Sequence, residues 1–145
     1  MSVSSVLNRY KNVQVKTSSP GEVLVMLYDG LFRFLTEAKT CMETGERTRA
    51  AERISRCHEI FQQLVLGLNH EIAPELCENL QSLYLFCMGH IVQSNIQQQP
   101  EKLAEVMRVL QPLREAWTTV VRGDTSGASV NASSVASLNA GVVIK

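Results

Sequence analysis

The chain has 145 residues, with 45% hydrophobic residues and a formal net charge of +0. That length suits one domain with a real hydrophobic core. The charge balance gives no long-range pull toward nucleic acid or an anionic membrane. Residues Met1 to Asn8 do not join a basic start to an apolar run, so no signal peptide is expected. No apolar stretch nears the roughly 20 residues that span a bilayer, and the longest, Val23 to Tyr28, is a turn or two of helix. Cys41, Cys57, Cys77 and Cys87 form no Cys-x-x-Cys pair, which favours four buried thiols in a reducing cytosol over disulfides or a metal site.

Residues 1–18 carry few periodic apolar positions and are set apart as an N-terminal segment, with Leu7, Tyr10, Val13 and Val15 as its grips. A helix opens at Ser19-Pro20-Gly21-Glu22, a capping box with proline at the first helical position. Its core stripe is Leu24, Leu27, Leu31, Phe34, Leu35, Ala38 and Met42, and Gly45 stops it. Within it, Asp29 is expected to pair with Arg33, and Gly30 to allow close helix packing.

The second helix is predicted from about Arg47 to Asn69, with Ala50, Ile54, Cys57, Phe61, Leu64, Val65 and Leu68 inward and a Glu52–Arg56 pair outward. Glutamates interrupt its basic cluster, which reads as a solvated face rather than a phosphate site. The third helix opens near Pro74 with the stripe Leu76, Leu80, Leu83, Tyr84, Cys87, Ile91 and Ser94, and closes at Gln97-Gln98-Gln99-Pro100. The fourth carries Leu103, Val106, Leu110, Leu113, Trp117 and Val120, with Gly123 as its stop. Pro112 lies inside it and is expected to kink it or split off its last turns. Residues 124–145 are rich in serine, alanine, asparagine and glycine and read as a flexible tail. The predicted fold is all-α: an antiparallel four-helix bundle over 19–123, with an extended N-terminal segment and a flexible tail.

No catalytic constellation is visible. Ser55, Gly67 and Cys87 precede His58, His70 and His90 by three, so no Glu-x-x-His pair exists, and Pro74 stands where His70-Glu71 would need a second histidine. Cys87 and His90 share a helix face but lack two further ligands. No enzyme, cofactor or metal site is expected.

Two helices are more apolar than one buried stripe requires. Val25, Tyr28 and Phe32 form a second stripe on the first helix; Leu85, Met88, Val92 and Ile96 form one on the third. Such surplus means either a helix packed on several sides or a groove awaiting a partner helix.

The stretch Tyr10 through Ala38 resembles the flagellar secretion chaperone FliS family, which guards flagellin before export. The matching residues are Tyr10, Val15-x-Thr17-Ser18-Ser19-Pro20-Gly21, Met26-Leu27-Tyr28-Asp29-Gly30, Phe34-Leu35 and Ala38. Leu80-x-x-Leu83-Tyr84 and Leu113-Arg114-Glu115-Ala116-Trp117 fit more loosely. The resemblance implies a cytoplasmic bundle that binds the disordered C-terminal region of flagellin. The client folds as helices around the bundle, is kept from premature polymerisation and is handed to the type III export apparatus. It also implies an N-terminal plug over the groove, here Leu7 and Tyr10. The expected partner-binding set is Leu7, Tyr10, Val25, Tyr28, Phe32, Tyr84, Leu85, Met88 and Val92. An anti-sigma factor or co-chaperone is the alternative partner and a metal or cofactor bundle enzyme the second alternative. The expected state is a monomer or weak homodimer. Pro112 departs from the family's smooth last helix.

Overall fold

The computed structural model describes residues 20–121, which hold α1 (Pro20–Glu43), α2 (Arg47–Leu66), α3 (Pro74–Gln97) and α4 (Pro100–Val121), with no strand among them. Each helix packs on its neighbour in sequence, and α4 returns against α1 to close the ring. The four-helix fold is the predicted one. Ser19, Gly123, the plug residues Leu7 and Tyr10, and the segments 1–18 and 124–145 lie outside the described residues.

Local chemistry sets the helix limits. Gly45 ends α1 with φ of +79°, a left-handed conformation that glycine adopts without a Cβ penalty. The amide of Glu46 then donates to the Cys41 carbonyl at 2.8 Å. α2 stops at Leu66, three residues before the predicted end, and Gly67 takes a right-handed C-cap. The freed loop is held by Asn69, whose carbonyl accepts from Cys77 Sγ at 3.2 Å and whose side chain accepts from the Glu71 amide at 3.1 Å. Pro74 occupies the first turn of α3, where its missing N–H costs nothing. At the far end Gln98 is left-handed and Ser94 Oγ donates to the Gln99 carbonyl at 2.7 Å. That bond satisfies the polar group of a serine that is fully buried.

α4 runs unbroken from Pro100 to Val121 with Pro112 inside it, so its last turns are not split off. Pro112 is exposed. The Arg108 carbonyl, which loses its helical donor to the proline ring, is therefore on a side where water can replace it.

The core draws on all four helices: Leu24, Leu31 and Leu35 of α1, Phe61 and Leu64 of α2, Ile91 of α3, Leu103 and Leu110 of α4. Cys41, Cys57, Cys77 and Cys87 are buried free thiols, as expected. On α3 the buried line is Cys77, Leu80, Tyr84, Cys87, Ile91 and Ser94. It keeps a three-and-four spacing, the seam of a helix packed nearly parallel to its neighbours. Leu76 and Leu83, predicted in that stripe, are only half-buried at its edge.

Candidate functional site

The two surplus apolar stripes have different fates. On α1, Val25 is half-buried, Tyr28 fully buried and Phe32 nearly so, because α1 packs against both α2 and α4. That stripe serves a central helix. Tyr28 and Tyr84 face each other across the bundle, their hydroxyls 2.7 Å apart and inaccessible to solvent. The Trp117 ring lies 6.1 Å from that of Tyr28, and Phe61 lies 6.2 Å from Tyr84. Four aromatic rings thus link α4, α1, α3 and α2 through the interior. Of the expected partner-binding set, Tyr28 and Tyr84 offer no surface in this conformation.

Burial pushes the Tyr28 hydroxyl up to about 12, with the neighbouring Trp117 and Tyr84 pulling the other way. Burial also drives Tyr84 well above the usual phenol range, and proximity to Tyr28 adds to it. Both therefore stay neutral hydrogen-bonding groups throughout the physiological range. Desolvation likewise raises Cys57, and lifts Cys87 to about 12. A reactive cysteine needs thiolate character and access, and these two have neither.

Along the α1–α4 seam, Val25 lines an open cleft of about 580 Å³ with Asp29, Gln111, Arg114, Glu115, Thr118 and Thr119. Asp29 does not pair with Arg33. Arg114 Nε and Nη2 instead reach its Oδ1 at 3.0 and 2.8 Å, and the Arg114 guanidinium lies 4.6 Å from the Phe32 ring centroid. Arg33 sits over its neighbour Phe34 at 5.1 Å. A planar guanidinium can stack on the ring and bond the carboxylate at once. Arg114 thus lies against the second apolar stripe of α1. A similar substitution of partners occurs on α2: Arg56 approaches Glu59 at 3.9 Å, while Glu52 pairs with Arg53, which also reaches Glu37 on α1 at 2.8 Å. Gly30 faces α2, where an added Cβ would meet Ile60 Cδ1 at 3.8 Å; the packing there would tolerate a methyl group.

The stripe on α3 stays open. Leu85 is 49% exposed, Val92 40% and Ile96 67%, joined by Phe86 at 57%. Met88 is half-buried and shares with Leu85, Leu66, Val65, Gln62 and Gln63 a groove of about 350 Å³ between α2 and α3. Leu85, Gly89, Val92 and Ile96 follow one another at four, three and four residues, so they share one face. Gly89 is exposed, and a Cβ there would meet nothing within 4 Å. A mid-helix glycine costs about 1 kcal/mol relative to alanine, and no contact inside the bundle accounts for it. From Asn79 to Pro100 there is no Lys, Arg, Asp or Glu. The face is therefore both apolar and uncharged.

Phe86, Gly89 and Arg114 were not among the residues expected to bind a partner. The run of uncharged residues on an exposed helix is the signal that could have marked the first two. The contact of Arg114 with Asp29 and Phe32 depends on how α4 lies on α1, and no local pattern encodes it. Among the described residues no group of three or more His, Cys, Asp or Glu is placed to hold a metal ion. His90 Nε2 lies 2.6 Å from Glu105 Oε2, tying α3 to α4. No described helix is long and apolar enough to cross a membrane.

The fold and this surface define an all-α four-helix bundle with one apolar helix face left open. The chain belongs to the FliS family of flagellar proteins, whose family model matches residues 3–124. It is similar to the flagellar secretion chaperone FliS of Bacillus subtilis (strain 168), 29% identical over 86% of this chain and 92% of that protein. The FliS chaperone of Salmonella typhimurium (strain LT2) is 28% identical over 83% of this chain and 93% of its own length. That of Vibrio cholerae (strain N16961) is 28% identical over 79% and 87%.

Proposed function

We propose that this chain is a cytoplasmic, non-enzymatic export chaperone that binds the C-terminal region of flagellin. It keeps the subunit from polymerising early and presents it for type III flagellar export. The observation that carries this reading is the open face of α3, found in a chain of the flagellar secretion chaperone family. A client that is disordered when free loses chain entropy on binding, and a long apolar contact offsets that loss without any single strong site. Leu85, Met88 and Val92 supply the contact on α3, and the groove beside Leu66 extends it toward α2. Val25 supplies the α1 side, beside Arg114, whose guanidinium stacks on the buried Phe32. Leu7 and Tyr10 act as a displaceable plug over part of the groove. Tyr28 and Tyr84 serve the site from beneath, by fixing the helices that carry it.

Calorimetric titration with a peptide covering the last helical segment of the cognate flagellin tests this. One-to-one binding with a negative heat-capacity change is expected. Leu85→Asp and Val92→Asp should each weaken it about tenfold or more, because a charge would be buried against the client. Both positions are exposed, so folding should be unaffected. Absence of binding to any flagellin segment would overturn the reading and leave an anti-sigma factor or co-chaperone as the partner to test.

A further inference from the structure

Two stretches of this chain share an unusual property. The exposed face of α3 has no Lys, Arg, Asp or Glu between Asn79 and Pro100, and residues 125–144 have none either. The first is a surface of Leu85, Phe86, Val92 and Ile96 around Gly89, which has open space where a Cβ would stand. In the second, Val135, Leu138 and Val142 follow at the three-and-four spacing of one helix face, amid small Ala, Ser, Asn and Gly residues. We propose that segment 125–144 of this chain docks on the outer face of α3 and covers it when no client is bound. Gly89 lets the docked backbone approach closely.

The geometry allows it. His90 opposite Glu105 sets α3 and α4 antiparallel, which puts Val121 level with the first turn of α3. From there Leu85 is about 17 Å and Ile96 about 33 Å along the helix axis, at 1.5 Å per residue. The nine residues from Val121 to Val130 reach about 30 Å when extended, enough for Leu85, and the 14 residues from Val121 to Val135 reach about 46 Å, enough for Ile96. A tether of this length holds the segment at a millimolar effective concentration, an advantage that no second copy of the chain has in dilute solution. The other segment outside the bundle is a poorer occupant: residues 1–19 carry Arg9, Lys11 and Lys16, which would lose hydration against an uncharged face.

The contact is an intramolecular one, so it can be tested without any client. Its regulatory consequence, competition with flagellin for α3, rests on the proposed function. Hydrogen exchange and binding of the dye ANS are compared for the full chain, a chain ending at Arg122, and the full-length Leu138→Asp variant. Both altered chains should exchange faster over residues 85–96 and bind more ANS, at every protein concentration. Unchanged exchange and dye binding would overturn the proposal. So would protection that grows with concentration alongside a dimer on gel filtration, which would assign the face to a second copy. In a separate titration, the chain ending at Arg122 should bind the flagellin peptide about tenfold more tightly, given an intrinsic tail dissociation constant near 0.1 mM. Failure of that titration alone would count against the client, not against the docked segment.

Discussion

Tyr28 and Tyr84 join α1 to α3 through hydroxyls 2.7 Å apart, with neither reaching solvent. The bond ties together the helix packed on both sides and the helix that carries the open face. Removing one hydroxyl leaves the other buried without its partner. Tyr28→Phe or Tyr84→Phe should therefore each cost about 1–3 kcal/mol in urea unfolding. The double Phe variant should cost clearly less than the sum, because no orphaned hydroxyl remains. Additive losses would show that the two groups do not depend on each other.

The same burial predicts a loss of stability in alkali. The Tyr28 hydroxyl and the Cys87 thiol are each held up to about 12 in the fold, against ordinary values of 10 and 9. Above pH 9 the unfolded chain loses these protons while the folded chain keeps them, so ΔG of unfolding falls as pH rises. Their stabilisation is complete below about pH 9 and is lost across the window from 9 to 12, with Tyr28 alone accounting for roughly 3 kcal/mol. Denaturation midpoints measured between pH 7 and 11 should fall, and the fall should be shallower in Cys87→Ala relative to its own value at pH 7.

Arg114 makes two hydrogen bonds to Asp29 and stacks on Phe32, yet Asp29 is half exposed at 52%. Water and salt weaken such a pair, so Arg114→Ala should cost about 1 kcal/mol or less, and less still in high salt. Arg114→Lys should recover only part of this, since an ammonium cannot bond and stack in the same way.

Pro112 removes a backbone bond from an otherwise continuous α4. Pro112→Ala should raise the thermal midpoint. Restoring the bond and relieving the ring's clash contribute up to about 3 kcal/mol, and the greater freedom of the unfolded chain returns part of it. A lower midpoint would mean that α4 is bent at Pro112 in a way the packing requires.

Gly89→Ala should stabilise the bundle by about 0.5–1 kcal/mol, since a methyl group there meets nothing. Gly89→Leu should fold as well and yet impair whatever docks on α3, an effect read by the ANS and peptide titrations described above.

The number of helices, their starts at Pro20, Pro74 and Pro100, and the stop at Gly45 were legible in the sequence. These signals are local: proline fits a first turn, and glycine accepts a left-handed residue. The end of α2 was placed too late because the apolar Leu68 continues the stripe, although it is buried from the loop beyond Gly67. Pro112 was expected to kink α4 or split off its last turns; the helix runs on through it to Val121.

Apolar periodicity alone determined that this chain folds as a four-helix bundle and that α1 and α3 carry more apolar surface than one seam needs. It did not determine which surplus is spent inside. Only the tertiary arrangement decided that, since a helix face is buried or open according to what its neighbours cover. α2 and α4 both pack more extensively on α1 than on α3, so Tyr28 and Phe32 became core. The face of α3 that bears Leu85, Val92 and Ile96 has no described helix over it, so those residues remained on the surface.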